Sequence, residues 1–79
     1  MIIMIIDEIA RLIKKEGIDP HECVATAEDI CDVYMQIQKE SFQITSSARC
    51  RLRHQIMMSL KKLGIRDMSL IRAIEDLFW

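Results

Sequence analysis

Apolar residues open this chain at Ile2, Ile5, Ile6, Ile9, Leu12 and Ile13. That is the i, i+3, i+4, i+7 spacing of one helical face. Asp7, Arg11 and Lys14 fall on the opposite side, and Gly17 follows the cations Lys14 and Lys15 as a helix stop. Ile3 and Met4 lie off the stripe, so the first turn is apolar all round and is expected to be buried. Asp19-Pro20-His21-Glu22 reads as the next helix start, with Asp19 as cap, Pro20 at the first helical position and Glu22 reaching back. The pattern Val24, Ala27, Ile30, Cys31, Tyr34, Ile37 carries this element to about Lys39. Thr26 offers a second N-cap, so 20–39 is either one helix or a short turn followed by a helix from 27.

Residues 40–47 read as a connector in which Phe42 and Ile44 alternate with polar residues, consistent with a brief extended stretch. Thr45-Ser46-Ser47 supplies three candidate N-caps. Ala48, Leu52, Ile56, Leu60 and Leu63 then form a third stripe, closed by Gly64. Asp67 or Ser69 caps a last helix bearing Leu70, Ile71, Ile74, Leu77 and Phe78 on one side. The expected fold is all-α, a small four-helix bundle or orthogonal helical array, in a single helical domain spanning 1–79. Composition agrees. Two glycines and one proline leave little material for hairpins. With four aromatic residues (Tyr34, Phe42, Phe78, Trp79), the core has to be aliphatic. Phe78 belongs to the last stripe and reads as core. Trp79 fits either bundle closure or an interface.

Charge changes the picture more than composition does. Residues 16–40 carry seven acids and one base, a net of −6, while 41–66 carry six bases and no acid, a net of +6. The whole chain is nearly neutral at −1. Such sorting bears on association and partner choice. On a wheel of the third helix, Arg51, His54, Met58, Lys61 and Lys62 share the face opposite the apolar stripe, and Arg49 and Arg53 flank the stripe. Arg49, Arg51 and Arg53 crowd the helix N-terminus, where the dipole disfavours cations by about 0.3–1 kcal/mol each. Something negative must offset them. One candidate is internal: a short link makes the last helix antiparallel to the basic one, which brings Glu75 and Asp76 beside Arg49 or Arg53. A second is a protein surface, since Met58 amid cations suits an adaptable contact and opposed charge blocks suit self-association.

A third is nucleic acid. Ile44-Thr45-Ser46-Ser47-Ala48 through Leu60-Lys61-Lys62-Leu63-Gly64-Ile65 resembles the recognition helix of winged-helix regulators over about a quarter of the chain. The resemblance implies major-groove docking of this helix. An overall pI near 6.1 and the acidic 16–40 block run against it.

Enzymatic chemistry finds little support. His21-x-Cys23 and Cys50-x-x-x-His54 supply four zinc-type ligands, but His21 and Cys23 diverge on a helical first turn and no Cys-x-x-Cys knuckle exists. Ser46, Ser47 and Ser69 have capping roles to fill, and the acidic turn Glu28, Asp29, Asp32 reads as a solvated face. No phosphate loop or paired-carboxylate motif is present, and four short helices are expected to leave little room for a pocket of ~300 Å³. No cofactor, metal or small-molecule substrate is expected. Three cysteines without a C-x-x-C pair suit reduced thiols. Met1–Ile6 is ended too soon by Asp7 and Glu8 for a signal peptide, and no stretch approaches the ~20 apolar residues of a membrane span. A cytoplasmic location is expected. The sequence thus points to a non-enzymatic helical interaction protein (a regulator, inhibitor or accessory factor). It would bind a protein or itself through Arg49, Arg51, Arg53, His54, Met58, Lys61 and Lys62. A helix-turn-helix-like DNA-binding regulator using 47–63 is the alternative.

Overall fold

In a computed structural model, which describes residues 2–40 and 45–78, four helices account for nearly all the regular structure. They are α1 (Ile2–Lys14), α2 (Pro20–Glu40), α3 (Ser46–Lys62) and α4 (Met68–Glu75), with no strand among the described residues. The side chains of Ile2 and Ile3, the connector residues Phe42 and Ile44, and the terminal Trp79 lie outside the described set.

Each helix boundary has a local cause. Asp19 accepts a hydrogen bond from the His21 amide at 3.0 Å, and Pro20 opens α2 where a missing N–H costs nothing. Thr26 is buried within α2, so Pro20–Glu40 is one continuous helix and the second N-cap is not used. Thr45 is the cap chosen from the three candidates before α3; its hydroxyl accepts from the Ala48 amide at 3.1 Å. Asp67, not Ser69, caps α4 and accepts from the amides of Ser69 and Leu70. Gly17 and Gly64 have φ of +83° and +79°, a backbone state that costs a side-chain-bearing residue.

The end of α3 sets the geometry that matters later. Ile65 N–H donates to Leu60 C=O at 2.9 Å and Gly64 N–H to Lys61 C=O at 3.0 Å, the paired bonds of a Schellman motif. Leu60 and Ile65 join the same buried cluster, which is the hydrophobic contact that accompanies this motif. The reversal into α4 is therefore fixed by backbone and packing together.

The helices form a closed ring of neighbours: α1 packs on α2 and α4, and α3 packs on α2 and α4. The inward stripes supply Ile9 and Ile13 from α1, Ala27, Ile30 and Ile37 from α2, Leu52, Ile56 and Leu60 from α3, and Leu70, Ile71 and Ile74 from α4. Past Glu75 the chain tightens to i→i+3 bonds, Leu77 N–H to Ile74 C=O and Phe78 N–H to Glu75 C=O. Phe78 is buried and its ring centroid lies 4.7 Å from that of Tyr34. The core is otherwise aliphatic, as composition requires.

Two positions depart from the pattern. Met4 is largely exposed, so the first turn of α1 is not buried all round. Val24 is also exposed, because Cys23 and Thr26 turn inward at this end of α2, while Ala27, Ile30, Cys31 and Ile37 keep their expected buried places. Ser59 is buried beside Leu60, and its hydroxyl accepts from Gln55 Nε2 at 2.9 Å, so this polar atom is satisfied.

Ile56 is fully buried at the middle of α3. Ile56→Ala is expected to cost about 2–5 kcal/mol and to lower Tm by at least about 10 °C, read by thermal denaturation followed by circular dichroism. Cys23 and Cys31 are buried and Cys50 is exposed. Burial pushes the Cys31 thiol up to about 11 and raises that of Cys23 as well. Thiol alkylation of the native protein followed by mass spectrometry is expected to modify Cys50 alone, with Cys23 and Cys31 reacting only after unfolding.

Candidate functional site

The basic helix divides into two halves with different fates. In its N-terminal half the cations are neutralised within the molecule. Arg53 grips Glu75 with two bonds, Nε to Oε2 at 2.8 Å and Nη2 to Oε1 at 2.9 Å. Arg49 Nη2 lies 3.8 Å from the same carboxylate. Arg51 Nη1 reaches Glu40 at the end of α2 at 2.6 Å. Antiparallel packing of α4 on α3 brings the acid at one helix end to the arginines at the other, as the charge pattern predicts.

Glu75 is 3% exposed. Hydrogen bonding from Arg53 is the main cause that holds its carboxyl below the usual carboxylate range, overcoming the opposing effect of burial. The charges of Arg53, Arg49 and Arg72 add to the lowering. The same bond raises Arg53 above its ordinary value.

The C-terminal half is different. Among the described residues no ion pair engages His54, Lys61, Lys62 or Arg66. His54, Met58 and Lys61 line an open groove of about 440 Å³ together with Met57, Ile65, Arg66, Met68 and Ile71. The three methionines are exposed by 43% (Met57), 41% (Met58) and 54% (Met68). The groove forms because Met57 and Met58 project from α3 just before the Gly64 reversal and Met68 projects from the first turn of α4 just after it. Ile65 and Ile71 form its floor and connect it to the core. It is an apolar, adaptable surface with imidazole, ammonium and guanidinium at the rim.

Seven residues were expected to share one surface, and the structure sorts them. Arg49, Arg51 and Arg53 belong to intramolecular pairs, His54, Met58 and Lys61 to the groove, and Lys62 is exposed beside it without lining it. Met57, Arg66 and Met68 complete the site and were not singled out. Their signal was a Met57-Met58 pair off the stripe and a third methionine directly after an N-cap across a short reversal. The expectation that four short helices leave little room for a pocket of ~300 Å³ is also corrected. The space is not an interior cavity but a surface cleft where two helix ends diverge from a tight turn.

A smaller cleft of about 300 Å³ lies between α1 and α2, lined in part by Lys14, Pro20 and Val24. Cys23 at its base is buried and its thiol donates to Ile18 C=O at 3.5 Å, whereas His21 is exposed, so the two do not converge. Among the described residues no three His, Cys, Asp or Glu side chains are grouped to hold a metal ion. No helix among them is long and apolar enough to cross a membrane. Comparison with protein-family models, curated proteins and solved structures finds no match to this chain.

Because the folded carboxyl of Glu75 titrates below its unfolded counterpart, its contribution is complete above the unfolded value of about 4.3 and is lost as pH falls through the lower folded value. Glu75→Gln is expected to be less stable than wild type at pH 7, with the difference shrinking as pH is lowered below about 4. Urea denaturation from pH 7 to 2.5 checks this, and an unchanged gap across that range would exclude the pair as its source.

Proposed function

We propose that this protein is a non-enzymatic interaction module that grips an acidic, amphipathic protein segment in the α3–α4 groove. The observation that supports this reading most is the coincidence of exposed methionines at Met57, Met58 and Met68 with Lys61 and Arg66, cations that no ion pair among the described residues engages. Unbranched thioethers adapt their shape to a ligand, and groove-bound amphipathic helices are held by apolar anchors spaced at i, i+3, i+4 and i+7. A cationic rim selects acidic partners and speeds their approach.

DNA binding by the same helix is the weaker reading. A recognition helix contacts base edges from its N-terminal residues. In α3 that end holds Arg49, Arg51 and Arg53, which are engaged by Glu75 and Glu40. The cations that no ion pair among the described residues engages lie at the opposite end, beside apolar side chains that phosphate does not reward.

The experiment is an NMR titration of the labelled protein with two probes. One is a synthetic helical peptide with leucine or methionine on one face and glutamate on its flanks. The other is a duplex DNA of mixed sequence. The peptide is expected to shift amides within 54–61 and 65–71, and Met58→Glu with Lys61→Glu is expected to weaken it at least about tenfold. A DNA response on α3 that falls steeply with salt, without a peptide response, would overturn the proposal in favour of the alternative.

A further inference from the structure

The groove is half of a charge-sorted molecule, and the other half is also unsatisfied. On α2, Val24, Glu28, Asp32 and Met35 follow one another at i, i+4, i+8 and i+11, a single outward line along the helix. All four are exposed, Val24 by 43% and Met35 by 41%. Among the described residues no ion pair engages Glu28, Asp29 or Asp32. Two apolar side chains therefore bracket two free carboxylates over about 16 Å of helix. That is the chemistry a cation-rimmed methionine groove accepts. The line cannot fill the groove of its own molecule, because α2 makes no packing contact with α4.

We propose that the segment seated in the groove is the outward line of α2 from a second copy of this chain. Val24 and Met35 lie against Met57, Met58 and Met68, and Glu28 and Asp32 face Lys61 and Arg66. Two carboxylates of the acidic block then meet two cations of the basic block across the contact, opposite in sign and equal in number. This rests on the groove being a protein-binding surface and supplies its occupant.

Charge reversal in trans tests it. One variant carries Lys61→Glu and Arg66→Glu, and the other carries Glu28→Lys and Asp32→Lys. All four positions are exposed, and circular dichroism verifies that each variant keeps its helix content. In sedimentation equilibrium at low salt, wild type is expected to show twice the chain mass at concentrations below about 1 mM and to dissociate as salt rises. Each variant alone sets like charge against like and is expected to stay monomeric. An equimolar mixture restores opposite charges at the contact and is expected to recover the doubled mass. A mixture that remains monomeric, or a wild type that is monomeric up to about 1 mM, overturns the inference. A monomeric wild type whose groove still takes the acidic peptide would overturn only the second copy as occupant. Failure of both measurements removes the binding surface as well.

Discussion

The fold and the candidate site both depend on how α4 is held against α3. At one end Glu75 is gripped by Arg53 and approached by Arg49. At the other, the Schellman reversal ties Leu60 to Ile65 and passes directly into the Asp67 cap. Between these fixed points Ile71 and Ile74 pack inward, so α4 is tied to the rest of the fold at both ends and along its inner face. A helix of eight residues is too short to persist on propensity alone, so its existence rests on this docking. The groove follows from the same constraint, since it is the space that remains where two helices leave a tight turn with long side chains on both sides.

The Glu75 contact also decides which charges are spoken for. Arg49 near the positive end of one helix dipole and Glu75 at the negative end of another are each unfavourable alone, and Arg53 lies one turn further along the same face as Arg49. Brought together by antiparallel packing, they satisfy one another, and the glutamate can be buried because its oxygens accept charged hydrogen bonds. Lys61 and Lys62 had no such need. They lie in the last turn of α3, where the dipole favours them, and so nothing in the fold demands a partner for them. Internal neutralisation and the proposed external contact are therefore not rival readings of the basic helix. The first accounts for its N-terminal half, and the second is proposed for its C-terminal end.

Much of this was legible in the sequence. The four helices, both glycine stops and a pairing of Glu75 or Asp76 with Arg49 or Arg53 follow from periodicity, capping chemistry and the sign of charge along the chain. What was not legible had definite causes. Thr26 has the chemistry of a cap but its place on the inner face of α2 made it core, and a local signal cannot report which face a long helix turns inward. Val24 was displaced from the buried stripe by Cys23 for the same reason, because at the first turn of a 21-residue helix the neighbours decide which of two adjacent side chains is covered. The groove was hidden because it is assembled across a reversal. Met57 and Met68 are eleven residues apart and belong to different helices, so neither wheel contains the surface. Volume arguments based on an enclosed core also say nothing of a cleft open to solvent.

The exposed methionines are more informative than the charges beside them. A solvated helix end gains nothing from methionine over lysine or glutamate, and in a chain that buries only about 60% of its unfolded surface, apolar side chains left outside are core material forgone. Here Met57, Met58 and Met68 are left out together, around one cleft, with Ile65 and Ile71 beneath them. Scattered exposure would carry no meaning, but convergence from two helices onto a common floor does. The cations at the rim then restrict what can cover the patch. A basic or neutral helix would bring no offset for desolvating Lys61 and Arg66, whereas carboxylates set among apolar side chains would. The outward line of α2 carries two carboxylates between two apolar side chains, and it lies on the same 79-residue body as the cleft it is proposed to fill.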